Sequence, residues 1–275
     1  MITANNNPAN FWTGYWTFSP GIDDAIKQAV YDSFFVGDDV HYDPVLWTMT
    51  IEFYGSMLVF AIALLFGSWR KRWMLYLSAA LVFFNSYYLA FIIGMALADI
   101  FTRKTPMFKT SNSIILSGVL FAGLFLGSYP VSTVTNDSLY SFLNNGVFLK
   151  PKMIYHIIGA GMIMYVLLNS ERMQKVFSSS VPVFLGKISY SLYLIHFLII
   201  CSFTCSLFLA MNPVLPYGLA VLTSCILSLL LIIPLSYLFY KYVDTLGVEL
   251  SKNIYNMLFS PIISNCSRYI QHKAR

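Results

Sequence analysis

Residues 44–66 read PVLWTMTIEFYGSMLVFAIALLF, an apolar run that contains a single carboxylate, Glu52. A helix needs about 20 mainly apolar residues to cross a bilayer, so this run predicts a membrane span. Trp47 and Tyr54 lie near its start, and a basic cluster follows at residues 70–72. Aromatic and basic flanks of this kind anchor a spanning helix at the two membrane surfaces.

The composition of the whole chain agrees with a membrane protein. Of the 275 residues, 57% are hydrophobic and 11% are charged, whereas soluble domains carry about 25% charged residues. This excludes a disordered chain and an ordinary soluble enzyme. The net charge of +5 comes from small basic clusters beside apolar runs, a pattern that sets membrane orientation, so we expect no nucleic acid partner. The four cysteines lack metal-ligand spacing, and we expect neither a disulfide framework nor a metal site.

Six more predicted spans complete an all-α, polytopic transmembrane helix bundle with about seven crossings. The run from Trp73 to Ile100 is too long for one crossing, and its middle is polar at residues 85–87. A hairpin turning there places the basic clusters on both flanks on the same side, so we predict two spans. The other four run from about Ser113 to Tyr129, Met153 to Leu168, Ile188 to Met211 and Tyr217 to Tyr240.

The basic residues predict the orientation of this bundle. With seven crossings, all but Lys27, Lys150 and Lys152 of the 17 lysines and arginines fall on one side, which is therefore cytoplasmic. The N-terminus is then outside or lumenal, and the C-terminus is cytoplasmic. The predicted organisation is an extramembrane segment at 1–44, the bundle at 45–241 and a cytoplasmic tail at 242–275. A translocated N-terminal segment without a preceding signal leads us to expect that earlier helices are missing from this chain.

Apolar side chains recur at helical spacing between Gly21 and Gly37, which predicts an amphipathic helix before the first span. They are Ile22, Ala25, Ile26, Ala29, Val30 and Phe34. Two placements stay open. The apolar face caps the outer end of the bundle, or the helix lies in the lipid interface.

Glu52 is an unusual residue for a membrane span. A carboxylate there costs about 2.5–3.5 kcal/mol on insertion scales, so it needs a partner or a function. Thr48, Glu52 and Ser56 follow at four-residue spacing and share one helix face, which predicts a polar stripe pointing into the bundle. A hydrogen-bonded anchor that sets helix packing is the alternative interpretation. By contrast, Asp99 lies near Arg103 at the inner end of its span, where we expect an interfacial ion pair.

His196 is the second ionisable residue in the middle of a span. It shares a helix face with Ser189 and Tyr193, and we expect it near the middle of the membrane. A neutral, hydrogen-bonded core histidine is the alternative interpretation. Two ionisable groups on separate spans favour a polar interior cavity, and we expect His41 and Asp43 to line its mouth.

Two stretches around these residues resemble signatures of the membrane acyltransferase 3 family. Residues 46–56, LWTMTIEFYGS, and residues 185–196, LGKISYSLYLIH, each join an intramembrane ionisable residue to a defined aromatic context. Residues 91–98, FIIGMALA, are similar to the family's phenylalanine-glycine span, and residues 240–244, YKYVD, resemble its closing motif. The resemblance extends over about residues 42–251, in the family's order.

The resemblance implies an integral, multi-pass membrane enzyme. Such enzymes move an acyl group, often acetyl, from acyl-CoA to a hydroxyl of a carbohydrate or another small acceptor. The implied partners are therefore acyl-CoA as co-substrate, the hydroxyl acceptor and the lipid bilayer, with no bound cofactor. We assign Glu52 and His196 as candidate catalytic residues: Glu52 orients the base or binds the acceptor, and His196 assists or lines the acyl channel. The candidate substrate-binding residues are Trp47, Thr48, Ser56, Ser189, Tyr193 and His41.

The chain departs from the family's pattern in its N-terminal part. Family members usually have about ten spans, and their presumed catalytic histidine lies in the first helix, some ten positions after a basic residue. This chain has no matching segment, nor the leucine-serine-glycine-phenylalanine motif of the following helix, and we expect it to be unstable or inactive when expressed as it stands. Two other classes stay open. One is a non-enzymatic membrane protein, either a degenerate relative or a proton-coupled transporter using Glu52 and His196 as a relay; the other is a receptor-like seven-span protein.

Overall fold

A computed structural model describes residues 18–37, 40–102, 110, 112–130, 138–143 and 151–258 of the chain. All regular secondary structure in these ranges is helical, which confirms the all-α fold class. The main helices are α1 (Ile22–Lys27, continued by a π-helix at Gln28–Val36), α2 (Trp47–Phe66, after a 3-10 turn at Pro44–Leu46), α3 (Arg72–Val82), α4 (Tyr88–Thr102), α5 (Ser113–Gly127), α6 (Pro151–Asn169), α7 (Glu171–Phe177), α8 (Ser180–Ile199), α9 (Cys205–Met211, joined to α8 by a π-helical turn at Ile200–Thr204) and α10 (Tyr217–Phe239, followed by a π-helical turn at Tyr240–Asp244).

Four continuous helices in the described ranges are long and apolar enough to cross a membrane. They are Pro44–Phe66, Lys152–Asn169, Ser180–Met211 and Tyr217–Leu258. The helices at the other three predicted spans, α3, α4 and α5, have 11, 15 and 15 residues. A 15-residue helix is about 22 Å long, less than the roughly 30 Å hydrocarbon core of a bilayer. Four of the seven predicted crossings therefore have spanning length.

The predicted hairpin within residues 73–100 is confirmed. Helix α3 ends at Val82 and α4 begins at Tyr88, and the two helices pack against each other. The turn thus includes the polar residues 85–87. The last two predicted spans are longer than expected, because α8 begins at Ser180 rather than Ile188 and the helix that starts at Tyr217 continues to Leu258.

The helices form two compact units. The first comprises residues 41–45 with α8, α9 and α10, and the second comprises α1 to α7. In the first unit, α8 and α10 pack through small side chains. Ser224, Ser228 and Ser236 are buried on one face of α10, and Ser191 is buried on α8. Small residues let helix backbones approach closely, which is the usual basis of helix association in membranes.

In the second unit, α5 and α6 approach closely at three glycines. A Cβ atom placed on Gly159 would lie 2.7 Å from the carbonyl oxygen of Gly123 and from the backbone nitrogen of Gly127. Only hydrogen fits at that distance, so Gly159 sets the separation of the two helices. A buried apolar cluster of Leu89, Met153, Ile154 and Ile157 joins α6 to the start of α4.

The predicted amphipathic helix exists as α1, but its apolar face does not cap the bundle. Ile22, Ile26 and Val30 are exposed, whereas Gln28, Asp32 and Ser33 are buried. The polar face packs on α2, where the Thr50 hydroxyl donates to the Ser33 carbonyl oxygen over 2.8 Å. The helix ends at Gly37, whose φ of 75° is easy only for glycine. These exposed residues therefore do not cap the bundle, and that placement is wrong. An outward apolar face is instead suited to the second predicted placement, in the lipid interface.

Asp99 forms an ion pair with Arg72 in the described part of the chain. Both of its carboxylate oxygens accept from the guanidinium of Arg72, which begins α3. Arg72 also donates to the carbonyl oxygen of Gly67 at the end of α2, so one side chain links three helix ends. Arg103, the predicted partner, lies outside the described residues.

Candidate functional site

His196 lies on α8 with one ring nitrogen bonded to its own helix. Its Nδ1 is 2.7 Å from the carbonyl oxygen of Tyr193 and 3.1 Å from that of Leu192. Since a carbonyl oxygen only accepts, Nδ1 carries the proton, and in the neutral imidazole Nε2 is then the lone-pair nitrogen. Among the described residues, Nε2 has no hydrogen bond. His196 is thus held in the tautomer that can take up a proton at Nε2.

The chain just before α2 is attached to this part of α8. The hydroxyl of Tyr193 donates to the carbonyl oxygen of Val45, and the Tyr193 ring lies 5.8 Å from the His196 ring between centroids. Residues 41–45 belong to the same compact unit as α8. This contact places Asp43, two residues before Val45, close to His196.

Asp43 is the buried carboxylate of this site. Its residue exposure is 6%, and within the described part of the chain Oδ1 has no hydrogen-bond partner. Burial raises the pKa of the Asp43 carboxyl above its ordinary value, while the backbone N–H of Val45 and the charge of His196 lower it. A carboxylate that is desolvated and lacks a partner for one oxygen is an uncommon arrangement that clusters at functional sites.

Glu52 lies in the second unit, on α2. It is exposed, and it has neither an ion pair nor a hydrogen bond among the described residues. Thr48 and Ser56, one turn away on either side, are both partly exposed. The polar stripe therefore exists on one face of α2, and its carboxylate is open to a ligand or another segment. This geometry gives no support to the alternative of a hydrogen-bonded anchor.

Packing on the neighbouring faces of α2 leaves Glu52 on the open side of the helix. Gly55 is buried against the ring of Phe91 on α4, and the ring of Phe53 packs edge-on against Phe35 of α1 with 5.2 Å between centroids. Trp47 packs edge-on against Tyr87 at 5.5 Å, so it caps the hairpin of α3 and α4. Two packed faces leave the Thr48, Glu52 and Ser56 face as the open one.

The remaining candidates have separate surroundings. Ser189 is exposed, and its hydroxyl donates to the Gly186 carbonyl oxygen of its own helix. The ring of His41 lies 5.3 Å from that of Phe18 between centroids. The structure thus brings His196 together with Tyr193 and Asp43, whereas Glu52, Thr48, Ser56 and Trp47 belong to the other unit. The sequence predicts Asp43 only at the mouth of a cavity, whereas the structure places it near His196.

A cavity of about 280 Å³ lies at the far end of α2 from Glu52. Its walls are mainly apolar, with Ile62 and Phe66 on α2 and Met95 on α4, and the Arg72 and Asp99 pair lies at one end. Ile62 is ten residues from Glu52, or roughly 15 Å along a helix axis. The cavity is therefore distinct from the polar stripe.

A comparison with protein families places these features in context. The family model described as an acyltransferase domain, of the acyltransferase 3 type, matches residues 5–240. The chain belongs to the acyltransferase 3 family. The match includes Asp43, Glu52 and His196, so the candidate residues of each unit lie within the matched domain.

Two curated acyltransferases are similar to this family member. Acyltransferase R4 of a Phoma species is 28% identical over 190 residues, covering 61% of this chain and 41% of the relative. Acyltransferase clz18 of Cochliobolus lunatus is 26% identical over 191 residues, covering 61% and 40%. The chain thus matches about two fifths of the length of these relatives. No solved structure gives a significant match to this acyltransferase 3 chain.

Proposed function

We propose that this chain acts in a multi-pass membrane acyltransferase that moves an acyl group, acetyl in the simplest case, from acyl-CoA to a hydroxyl of a carbohydrate or another small acceptor. Membership of an acyltransferase family carries the proposal. The unpartnered Nε2 of His196 and the open carboxylate of Glu52 support it, because acyl transfer to a hydroxyl needs a group that accepts the hydroxyl proton.

The proposed reaction moves one acyl group from the sulfur of acyl-CoA to the oxygen of the acceptor. The acceptor oxygen loses its proton and bonds to the thioester carbonyl carbon, and the bond from that carbon to sulfur breaks. The CoA thiolate leaves and is protonated. In this proposal His196 assists the proton transfer through Nε2, and Glu52 binds the acceptor or orients the base. Thr48 and Ser56 hydrogen-bond the acceptor beside Glu52.

The proposal is tested by following transfer from acetyl-CoA labelled in the acetyl group to a panel of sugars and small alcohols, using the purified chain in detergent or vesicles and, in parallel, a complete family member that carries the same glutamate and histidine. Wild-type protein is compared with Glu52→Gln and His196→Gln. General acid–base groups contribute about 10²–10⁴-fold in rate, so we expect losses of that order. Matched controls are Glu171→Gln, an exposed carboxylate on α7, and His156→Gln, whose Nε2 is bonded to the Tyr129 carbonyl oxygen.

Two results would overturn the proposal. One is full transfer by both variants, which would remove Glu52 and His196 from the chemistry. The other is no transfer by the wild-type chain together with pH-dependent solute flux in vesicles, which would favour a proton-coupled transporter.

A further inference from the structure

The buried carboxylate of Asp43 has one oxygen in use and one without a partner. One oxygen accepts from the backbone N–H of Val45 at the start of the first span. Oδ1 is buried and has no hydrogen bond to any described residue. Leaving a buried carboxylate oxygen unpaired is unfavourable. This oxygen therefore favours a partner that the described residues do not supply in this structure.

His196 offers a complementary atom. Its Nδ1–H is already bonded to the Tyr193 carbonyl oxygen, and its Nε2 is unpaired among the described residues. The contact of Tyr193 with Val45 fixes the Asp43 segment against the same turn of α8. Asp43 and His196 are close enough for their charges to interact, although no hydrogen bond joins them in this structure. Catalytic hydrogen bonds are often long before the substrate binds.

We propose that Asp43 is a positioning residue for His196, and that its carboxylate supplies the counter-charge for the imidazolium that forms when His196 takes a proton at Nε2. This inference rests on the proposed acyl transfer and assigns a role in it to a residue outside the family signatures quoted above. The proton moves from the acceptor hydroxyl to Nε2, and the resulting cation keeps its Nδ1–H bond to the Tyr193 carbonyl oxygen and has the Asp43 carboxylate as its counter-charge. When the thioester bond breaks, the same proton goes to the departing sulfur, and both side chains return to their first state.

Other ionisable groups near Asp43 do not replace this partner. Cys201, on the π-helical turn after α8, is buried and within electrostatic range of the carboxylate. A thiol is only a weak hydrogen-bond donor. Tyr193 already uses its hydroxyl proton on Val45. His196 is therefore the group whose charge change matches an unpaired carboxylate oxygen.

Two substitutions separate the electrostatic role from a structural one. Asp43→Asn keeps an oxygen that can accept from Val45 N–H but removes the charge, whereas Asp43→Ala removes both. We expect Asp43→Asn to lower kcat by at least about tenfold, within the range for proton-transfer groups, and to leave KM within about twofold. If Asp43→Asn keeps the wild-type kcat and only Asp43→Ala loses activity, then Asp43 serves only to cap the helix start through the Val45 N–H. That result would overturn the proposal.

A double-mutant cycle with His196→Gln tests whether Asp43 acts through the histidine. Glutamine cannot become an imidazolium, so Asp43→Asn should cause no further loss of kcat in that background. Multiplicative losses in the double variant would contradict the proposal, since they would mean that the two residues act independently.

A chemical readout keeps this inference separate from the proposed function. Diethyl pyrocarbonate modifies the neutral imidazole, and peptide mass spectrometry follows His196 and His156 in one sample. In this proposal the Asp43 charge acts on the ring that the reagent attacks, so Asp43→Asn should accelerate modification of His196 by more than about twofold while the rate at His156 is unchanged. Faster modification without any acyl transfer would sink only the proposed function. Equal His196 rates in the two proteins would sink the pairing of Asp43 with His196.

Discussion

The close contact of Gly55 with Phe91 gives a prediction that links packing to the site. Gly55 lies less than one turn after Glu52 on α2. A Cβ on Gly55 would lie 2.3 Å from Cζ, 2.4 Å from Cε2 and 2.6 Å from Cε1 of the Phe91 ring. Carbon atoms in contact are usually about 3.5–4.0 Å apart, so the ring or one helix must move by roughly 1 Å. The substitution Gly55→Ala therefore displaces the Phe91 ring or moves α2 and α4 apart.

The size of this effect can be measured against a matched glycine. Gly94 lies on α4, one turn from Phe91, and a Cβ there meets no atom within 4 Å. Both Gly→Ala changes gain the same helix propensity, about 1 kcal/mol, so their difference isolates the clash. Overpacking typically costs about 1–3 kcal/mol. At about 2–4 °C per kcal/mol, Gly55→Ala should unfold roughly 2–12 °C below Gly94→Ala.

The assay is thermal unfolding of the detergent-solubilised chain, followed by loss of the monodisperse peak in size-exclusion chromatography. A second change, Phe91→Leu, removes the ring carbons that clash, and it should restore most of the Tm of Gly55→Ala. Equal Tm values for Gly55→Ala and Gly94→Ala would refute the close packing of α2 on α4. Failure of Phe91→Leu to rescue would place the clash elsewhere.

Three further predictions concern stability. Gly159→Ala should lower the Tm by several degrees more than Gly118→Ala, because backbone atoms oppose a Cβ only at Gly159; equal effects would contradict the packing of α5 on α6. Asp99→Asn should cost about 1.5–3 kcal/mol of stability but little in an Arg72→Gln background, and additive losses would refute the pair. Burial raises the pKa of Asp43 above 3.8, so the folded state binds that proton more tightly and loses stability as pH rises from about 4. Asp43→Asn should therefore have a Tm at pH 7 at or above that of wild type, with the gap closing toward pH 4, and a lower Tm at pH 7 would contradict this.

Hydropathy and charge predict most of the architecture. The runs of apolar residues locate the helices, and the basic clusters on both sides of residues 73–100 predict the hairpin, because a single crossing would have separated them. Helix lengths are less predictable. The end of α3 at Val82 and the continuation of the last helix to Leu258 depend on tertiary packing and π-helical turns, which hydropathy does not predict.

The errors have a common physical origin. The periodicity of α1 predicts an apolar face but does not say whether protein or lipid covers it, and the polar residues Gln28, Asp32 and Ser33 turned out to be the buried ones. Likewise, proximity in sequence points to residues beside Asp99 and not to Arg72, 27 residues away, which the hairpin brings to the same end. In each case the sequence shows which residue needs a partner or a covering surface, and the tertiary structure determines which residue or environment provides it.

The same distinction bears on the two carboxylates of the candidate site. A carboxylate kept for packing is usually paired, as Asp99 is with Arg72, because pairing offsets its desolvation. Asp43 is buried with an unpaired oxygen, and Glu52 lies in a predicted span without a described partner. Both are unfavourable for folding alone, and strain of this kind concentrates where a protein binds or transforms a ligand. The contrast with Asp99 therefore favours a functional role over a packing role for Asp43 and Glu52. It also explains why removing the charge at Asp43 is expected to preserve stability while lowering activity.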